Sequence, residues 1–239
     1  VFMVLLLVKT DRNPQLVALY AFNPLVIIEF SGNLHFEGVV LFFLAITAWM
    51  LMHSRIYLAA VPLAIAIAVK LLPLIFLPSI WSWLKTKRYL FYVLVAALFA
   101  ITFAPFISKE LLLHWQSSLS LYFKTFEFNA SLYYAVNRVW GAIIGYNPIA
   151  VVGPLMSVLA FTGILIVAFK KSFSIPERIY WSLFIYLLCA TTVHPWYVAP
   201  LIAWMIFTKR REAVIWTFLV TLSYIHYHNN TFSENYVFI

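Results

Sequence analysis

The Lys and Arg residues of this chain are spread unevenly between the loops that separate its apolar runs, and this asymmetry limits the possible folds more than any other feature. Of 239 residues, 64% are hydrophobic and only 10% are charged. The apolar runs are roughly 14 to 22 residues long, a length at which a helix crosses, or nearly crosses, about 30 Å of hydrocarbon. The sequence therefore predicts an all-α fold, a polytopic transmembrane helical bundle.

The basic loops predict how this bundle is oriented. If the chain crosses the membrane in pairs of helices between these loops, 12 of the 16 Lys and Arg residues fall on one side. The other four are Lys70, Lys109, Lys124 and Arg138. Basic loops stay preferentially in the cytoplasm, so we expect a multi-pass protein of the inner (cytoplasmic) membrane. The net charge of +8 then reports topology, and no nucleic-acid partner is needed to explain it.

The predicted crossings follow one another with short turns. One stretch, 56–84, has basic groups at both ends, so it must cross twice or dip in and return around Lys70 and Pro73. Another crossing is interrupted by Asn23 and Pro24. Outside 56–84, the predicted crossings are 16–30, which contains Asn23 and Pro24, and 39–52, 89–107, 149–169, 179–193, 196–207 and 214–227.

We predict a single transmembrane domain over 1–239, with one long external segment at 108–148. In its first half Leu111, Trp115 and Leu119 recur at helical spacing opposite polar residues, which predicts a helix lying in the interface. A second helix is predicted from Asn129 or Ser131 to Gly145. Because 1–8 resemble the tail of an apolar helix without an initiating Met, we expect further helices and a first external loop before them.

Glu29, His35 and Glu37 form the first candidate site, around a glycine-containing turn at the end of a predicted crossing. A carboxylate at a membrane boundary costs a few kcal/mol unless it is paired or wetted, which makes Glu29 a functional candidate. The alternative is that Glu29 caps a helix and the other two are ordinary loop residues. His-x-Glu is also a weak metal-ligand pattern, and without further spaced His or Cys residues we predict no metal.

Lys70 is the second candidate, because it lies in the apolar run 69–78. An ammonium group in such surroundings needs an anionic partner, and a lipid phosphate is one partner available in a membrane. The alternative is a lysine that extends to the interface and anchors the helix end.

His194 is the third candidate, within Thr-Thr-Val-His-Pro-Trp-Tyr at 191–197. Pro195 breaks the helix, so we expect His194 to lie at the mouth of a cavity beside Trp196 and Tyr197. Trp and Tyr are also common anchors at membrane interfaces, which explains those two residues without a site.

Together these segments resemble a known family. Asn-Pro-Leu-Val-Ile-Ile-Glu at 23–29, Gly-Asn-Leu-His-Phe-Glu-Gly at 32–38, Lys-Leu-Leu-Pro at 70–73, Phe-Asn-Ala-Ser-Leu-Tyr-Tyr at 128–134 and His-Pro-Trp-Tyr at 194–197 occur in this order. The chain from Ala21 to about Phe207 is similar to the bacterial polytopic glycosyltransferases of the GT-C superfamily, in particular the polyprenyl-phosphate-mannose-dependent mannosyltransferases.

The resemblance implies transfer of a hexose, mannose in that family, from a polyprenyl-phosphate donor to a glycan or glycolipid acceptor on the outer face of the membrane. Such enzymes use an acidic residue of the first external loop as the base. That loop would precede Val1, so the catalytic residue of this chain is left unassigned. The partners implied are membrane lipid, the donor and the acceptor, with no cofactor and no metal.

The visible residues divide into two predicted groups on this basis. Cationic or hydrogen-bond-donating groups would bind the donor phosphate, whose negative charge grows as the bond breaks. Polar and aromatic groups would bind the sugar or the acceptor. The phosphate-binding candidates are Lys70, His194 and Arg138, and the sugar- or acceptor-binding candidates are Glu29, His35, Glu37, Asn129, Trp196 and Tyr197.

Two other functions fit the same sequence. Helices broken by proline and a lysine within an apolar run also suit a transporter or flippase for a lipid-linked or anionic solute. The gathering of candidate groups on one face, instead of at the middle of the membrane, disfavours it. A non-catalytic scaffold subunit is the third possibility.

Overall fold

The computed structural model describes residues 1–111, 113–114, 117–118 and 126–227. Over these ranges the chain is helical with short connections, and no β-strand is formed. A single parallel backbone bridge joins Phe128 to Thr192. The all-α prediction is therefore confirmed for the described part of the chain.

Twelve α-helices are described, and several continue into 3₁₀ or π turns. The π turn Ile27–Gly32 follows α3, and the 3₁₀ turn Leu72–Phe76 precedes α6. The helices are α1 (Phe2–Lys9), α2 (Val17–Ala21), α3 (Pro24–Val26), α4 (Glu37–Met52), α5 (Ala60–Val69), α6 (Leu77–Leu84), α7 (Arg88–Phe103), α8 (Ser131–Ile144), α9 (Ile149–Phe169), α10 (Ile175–Cys189), α11 (Pro195–Met205) and α12 (Glu212–Leu219).

Fewer crossings are supported than the sequence predicted. Among the described residues, the helical stretches Leu72–Phe106 and Ile149–Phe169 are long and apolar enough to cross a membrane. The helical pair Pro14–Ala21 and Pro24–Gly32 is bent by 61° and would provide a third crossing if it acts as one span. The other apolar helices, such as α4, are shorter. Two or three crossings are thus compatible with the fold, and the full polytopic bundle stays a prediction.

The predicted helix breaks are confirmed. At the first break Asn23 caps α3, because its Oδ1 accepts a hydrogen bond from the backbone N–H of Val26 at 3.3 Å, and Pro24 takes the first helical position. At the second break Lys70 is extended, with φ −158° and ψ 137°. The predicted helix after Ser131 ends at Gly145, whose φ of +78° gives a left-handed cap.

Part of the predicted external segment cannot be compared with the structure. Of the first interfacial helix, Trp115 and Leu119 lie outside the described residues, as does His228 near the end of the chain. The second helix is α8, which packs against α9 and α10.

The hydrophobic core lies around α11, which is buried on nearly all sides. Leu201, Trp204 and Met205 are completely inaccessible to solvent, and α11 packs against α4, α10 and α12. In contrast, α9 exposes a continuous apolar surface that includes Phe161 and Ile166. A helix that is apolar on its outer face fits a lipid environment better than an aqueous one.

Arg178 fixes the end of α9 from within the core. Its side chain is buried, and its guanidinium donates hydrogen bonds to the carbonyl oxygens of Ala168 at 2.7 Å, Lys170 at 3.1 Å and Phe173 at 3.1 Å. Backbone carbonyls at a helix C-terminus carry partial negative charge and lack helical partners. Arg178 supplies those partners, so the turn after α9 is held in one conformation.

Candidate functional site

Seven candidate residues from three distant parts of the sequence meet at one end of the helices. We call this group the polar cluster. It consists of Glu29, His35, Glu37, Lys70, His194, Trp196 and Tyr197, which are joined by the hydrogen bonds, ion pairs and ring contacts described below.

A tight turn after the first broken helix buries Glu29. The π turn Ile27–Gly32 carries this residue, whose side chain has no exposed surface. Its Oε2 lies 3.1 Å from Nε2 of His35 and accepts a hydrogen bond from Asn33 Nδ2 at 3.2 Å. The backbone N–H of His35 also donates to the carbonyl of Glu29 at 2.9 Å. The carboxylate thereby fixes the imidazole orientation and keeps a proton on Nε2.

Close packing at Gly38 holds this turn against α4. A Cβ atom at this position would lie 3.2 Å from Cγ of Phe30, closer than ordinary side-chain contacts. Leu34, between the π turn and α4, has a φ of +55°, which residues other than glycine rarely adopt. Unfavourable backbone geometry of this kind concentrates at functional sites.

Lys70 forms an ion pair with Glu37 at the break after α5. The Lys70 Nζ contacts Oε1 of Glu37, and the two side chains are 30% and 4% exposed. The ammonium also lies 4.0 Å from the centre of the Tyr197 ring, a cation–π geometry. The sequence suggested a lipid phosphate as one anionic partner for Lys70, and in the structure Glu37 is such a partner. Part of the Lys70 side chain is still exposed.

His194 and His35 both stack on the indole of Trp196. The ring centres of His194 and Trp196 are 4.4 Å apart with planes inclined by 8°, and those of His35 and Trp196 are 4.1 Å apart with planes inclined by 16°. Pro195 restricts the preceding residue to extended backbone, and His194 adopts φ −73° and ψ 151°. The ring of Phe128 also stacks on His194, with ring centres 5.0 Å apart.

His194 is an uncharged imidazole at neutral pH. It lies in the connection between α10 and α11, where burial is the main effect that lowers its pKa, and the charges of Lys70 and His35 lower it further, to about 4. The sequence predicted that His194 acts as a cation or as a hydrogen-bond donor. The structure favours the second role, because a neutral imidazole donates a hydrogen bond from one ring nitrogen and accepts one at the other.

Two buried polar atoms in the cluster have no hydrogen-bond partner among the described residues. They are Oε1 of Glu29 and Nδ1 of His194. Buried polar atoms in folded proteins are almost always hydrogen-bonded, so each of these atoms has the capacity to bind a water molecule or a hydroxyl group.

The other two candidates have different positions. Asn129 borders the cluster, because its Nδ2 donates a hydrogen bond to the carbonyl of Val193 at 3.3 Å. Arg138 lies exposed on α8, and no contact with the cluster is seen among the described residues. The contact between Phe128 and His194 could not be predicted, because no spacing pattern connects residues in different segments.

An apolar cleft of about 190 Å³ lies between α9, α10 and the turn after Lys70. Thr191, at one end of the cleft, is three residues from His194, and Ile75 is five residues from Lys70. The cleft is lined almost entirely by apolar atoms, from residues such as Ala160, Ile164 and Tyr186. The chain thus passes from the lining of this cleft to the polar cluster within three to five residues at two places.

The side chains of the polar cluster can transfer protons and can donate or accept hydrogen bonds. The described residues contain no group of three or more His, Cys, Asp or Glu side chains arranged to bind a metal ion. A buried carboxylate, two imidazoles and a partly exposed ammonium can bind hydroxyl and phosphate groups.

Comparison of the chain with protein-family models, curated proteins and solved structures finds no match.

Proposed function

We propose that this protein is a membrane glycosyltransferase that transfers a hexose from a polyprenyl-phosphate donor to a glycan or glycolipid acceptor. The observation that supports the proposal best is the polar cluster itself, which gathers charged and hydrogen-bonding side chains, together with an apolar cleft whose lining includes Thr191, three residues before His194. A polyprenyl-phosphate sugar has the same two parts, an apolar chain and a hydroxyl-rich anionic head. The order of short motifs that resemble GT-C mannosyltransferases points the same way.

In this proposal the donor phosphate binds beside Lys70. The Lys70 side chain is 30% exposed and its ammonium is paired with Glu37, so an incoming phosphate would compete with the carboxylate for the ammonium. The neutral His194 would donate a hydrogen bond, and its buried Nδ1 lacks a partner among the described residues. Growing charge on the departing phosphate would strengthen both interactions.

The sugar or acceptor hydroxyls would bind at Glu29 and His35. Oε1 of Glu29 is buried and unpaired among the described residues, while Oε2 orients His35. We assign to Trp196 the task of aligning the two imidazoles, because both already stack on its indole. The catalytic base stays unassigned, and we do not give that role to Glu29 or Glu37.

The active face would be the outer side of the cytoplasmic membrane. The basic loops define the opposite, cytoplasmic side by their excess of Lys and Arg. The polar cluster lies at the end of α10 and the start of α11, whereas the basic residues Lys170, Lys171 and Lys209 lie near the other ends of these two helices.

The test is sugar transfer in membranes that contain the full-length protein, with a radiolabelled polyprenyl-phosphate hexose as donor. Wild type is compared with Lys70→Ala and His194→Ala, with Lys87→Ala as a control far from the cluster. We expect transfer by the wild type and the control, and at least a tenfold loss in the two cluster variants at equal protein level.

Two outcomes would contradict the glycosyltransferase proposal. If no hexose donor gives product and labelled lipid crosses the bilayer instead, the protein is a flippase. If neither activity is found in protein that is folded and contains its natural flanking sequence, both proposals fail.

A further inference from the structure

A second pocket, of about 520 Å³, lies at the end of the helices opposite the polar cluster. Four basic side chains line it: Arg12, Lys170, Lys209 and Arg210. It is separated from the cluster by the length of α10, whose 15 residues span roughly 22 Å at the rise of an α-helix. This pocket plays no part in the proposed sugar transfer.

The pocket carries an excess of positive charge. Glu177 is the single carboxylate on its lining, and it is already engaged, because its Oε2 accepts hydrogen bonds from the backbone and hydroxyl of Ser174 at 2.9 Å. Its Oε1 lies 3.8 Å from Arg12 Nη2. Arg210 Nε lies 4.0 Å from Oε1 of Glu212, whereas Lys170 and Lys209 have no ion-pair partner among the described residues. Adjacent unpaired cations repel one another, so an anion bound between them would be stabilising.

The walls of the pocket are held in place before any ligand binds. Arg178, which is buried, fixes the turn that carries Lys170 and Phe173 by three backbone hydrogen bonds. Lys170 lies 4.6 Å from the centre of the Phe173 ring, and Arg210 lies 5.6 Å from that of Trp181. Preorganised cations lose less entropy on binding than mobile surface lysines do.

The surroundings indicate that the anion is attached to a lipid. Ile166 and Val167 of α9 form the apolar part of the lining, and Ile166 is 68% exposed. At 21 residues, α9 is about as long as the hydrocarbon core is thick, so its end reaches the depth of the lipid headgroups. Basic pockets at this depth bind anionic headgroups, with acyl chains along the adjacent apolar helix.

We propose that this basic pocket binds the phosphate headgroup of an anionic phospholipid whose acyl chains lie along α9. The guanidinium groups of Arg12 and Arg210 are suited to paired hydrogen bonds with phosphate oxygens, and Lys170 and Lys209 add positive charge. Trp181 provides an aromatic surface at the same depth.

Native mass spectrometry of the full chain, purified in detergent and titrated with phosphatidylglycerol or phosphatidylcholine, tests this proposal. Wild type is compared with Lys170→Gln/Lys209→Gln/Arg210→Gln. The control, Lys85→Gln/Lys87→Gln/Lys171→Gln, removes three charges near the same end of the molecule but outside the pocket. We expect wild type and control to retain phosphatidylglycerol preferentially, and the pocket variant to need roughly tenfold more of it for equal occupancy.

Three results would overturn the proposal. Equal retention of phosphatidylglycerol by the pocket variant would exclude the pocket, and an equal loss in the control would indicate unspecific attraction. Thermal stabilisation by inorganic phosphate without preference for phosphatidylglycerol would assign the pocket to a soluble anion. Size-exclusion chromatography establishes that each variant is folded. None of these measurements depends on sugar transfer.

Discussion

Glu37 and Lys70 form an ion pair across 33 residues of sequence, and the pair joins the first turn of α4 to the break that follows α5. The Glu37 side chain is 4% exposed and the Lys70 side chain 30%. Each charge therefore depends on the other for compensation, the carboxylate more than the ammonium.

We predict that Glu37→Gln destabilises the protein by about 2 kcal/mol, because it leaves a partly buried ammonium without its partner. Thermal unfolding in detergent measures the change. The double variant Glu37→Gln/Lys70→Met, which removes both charges, should recover part of the loss. Wild-type stability in Glu37→Gln alone would contradict the ion pair.

The imidazole of His194 should make stability depend on pH. Its pKa in the folded protein is about 4, below the ordinary value of 6.5, mainly because it is buried. Between these values the unfolded chain binds the proton more readily, so the contribution to stability is complete above pH 6.5 and is lost as the pH falls toward 4. The loss is on the order of 3 kcal/mol.

This pH effect is measured by thermal unfolding at pH values between 4 and 7. His194→Asn should show a weaker dependence on pH than wild type. His53→Asn is the matched control, since His53 is exposed at the end of α4, away from the cluster, and this variant should behave like wild type. A profile for His194→Asn that follows the wild-type profile would show that another group is responsible.

Replacement of Trp196 should disorder both imidazoles at once. Each ring pair contributes about 0.5–1.5 kcal/mol, so Trp196→Leu should cost about 1–3 kcal/mol, and Trp196→Phe less. Thermal unfolding gives the cost, and sugar transfer should fall with it. Trp140→Leu, at an exposed position on α8, is the control. If the two leucine variants are equally stable, the stacked rings are not structurally important.

Removal of the charge on Glu29 should affect function more than stability. Glu29→Gln keeps the shape of the side chain but no longer fixes the proton of His35 on Nε2. We expect sugar transfer to fall at least tenfold while the protein level stays constant. Glu110→Gln changes an exposed carboxylate and should retain full transfer. Full transfer by Glu29→Gln would remove Glu29 from the proposed site.

Arg178→Met should destabilise the fold by about 3 kcal/mol or more, because it removes the hydrogen bonds to the carbonyls after α9. Lys171→Met, at an exposed neighbouring position, should change stability by less than about 0.5 kcal/mol. The two variants are compared by thermal unfolding. Equal stabilities would mean that the turn does not need its buried arginine.

Local sequence rules predicted the helix ends well. Neighbouring residues suffice to locate the breaks, because certain residue types restrict the backbone by their own geometry. These are the capping residue Asn23, the following Pro24 and the left-handed Gly145. Helix α9 was predicted with its observed bounds, because one uninterrupted apolar run separates Pro148 from Lys170. The number of crossings was less predictable, since apolar composition does not distinguish a short core helix from a membrane span.

The partners within the site could not be predicted from sequence. Spacing identified Glu37, Lys70 and His194 as candidates, but which of them meet depends on how helices far apart in sequence pack. The same holds for Trp196, which the sequence allowed as an interface anchor and which contacts two imidazoles in the structure. The bending of the chain at residues 23 and 70 brings these groups together.

The backbone bridge between Phe128 and Thr192 ties the predicted external segment, 108–148, to the candidate site, so that the two cannot move independently. The N–H of Phe128 donates to the carbonyl of Thr191 at 2.9 Å, and the N–H of Val193 donates to the carbonyl of Phe128 at 2.8 Å. A shift of α8 away from the helices must either break these two hydrogen bonds or pull His194 with it. A ligand or partner that shifted α8 would thereby also move the backbone that carries His194.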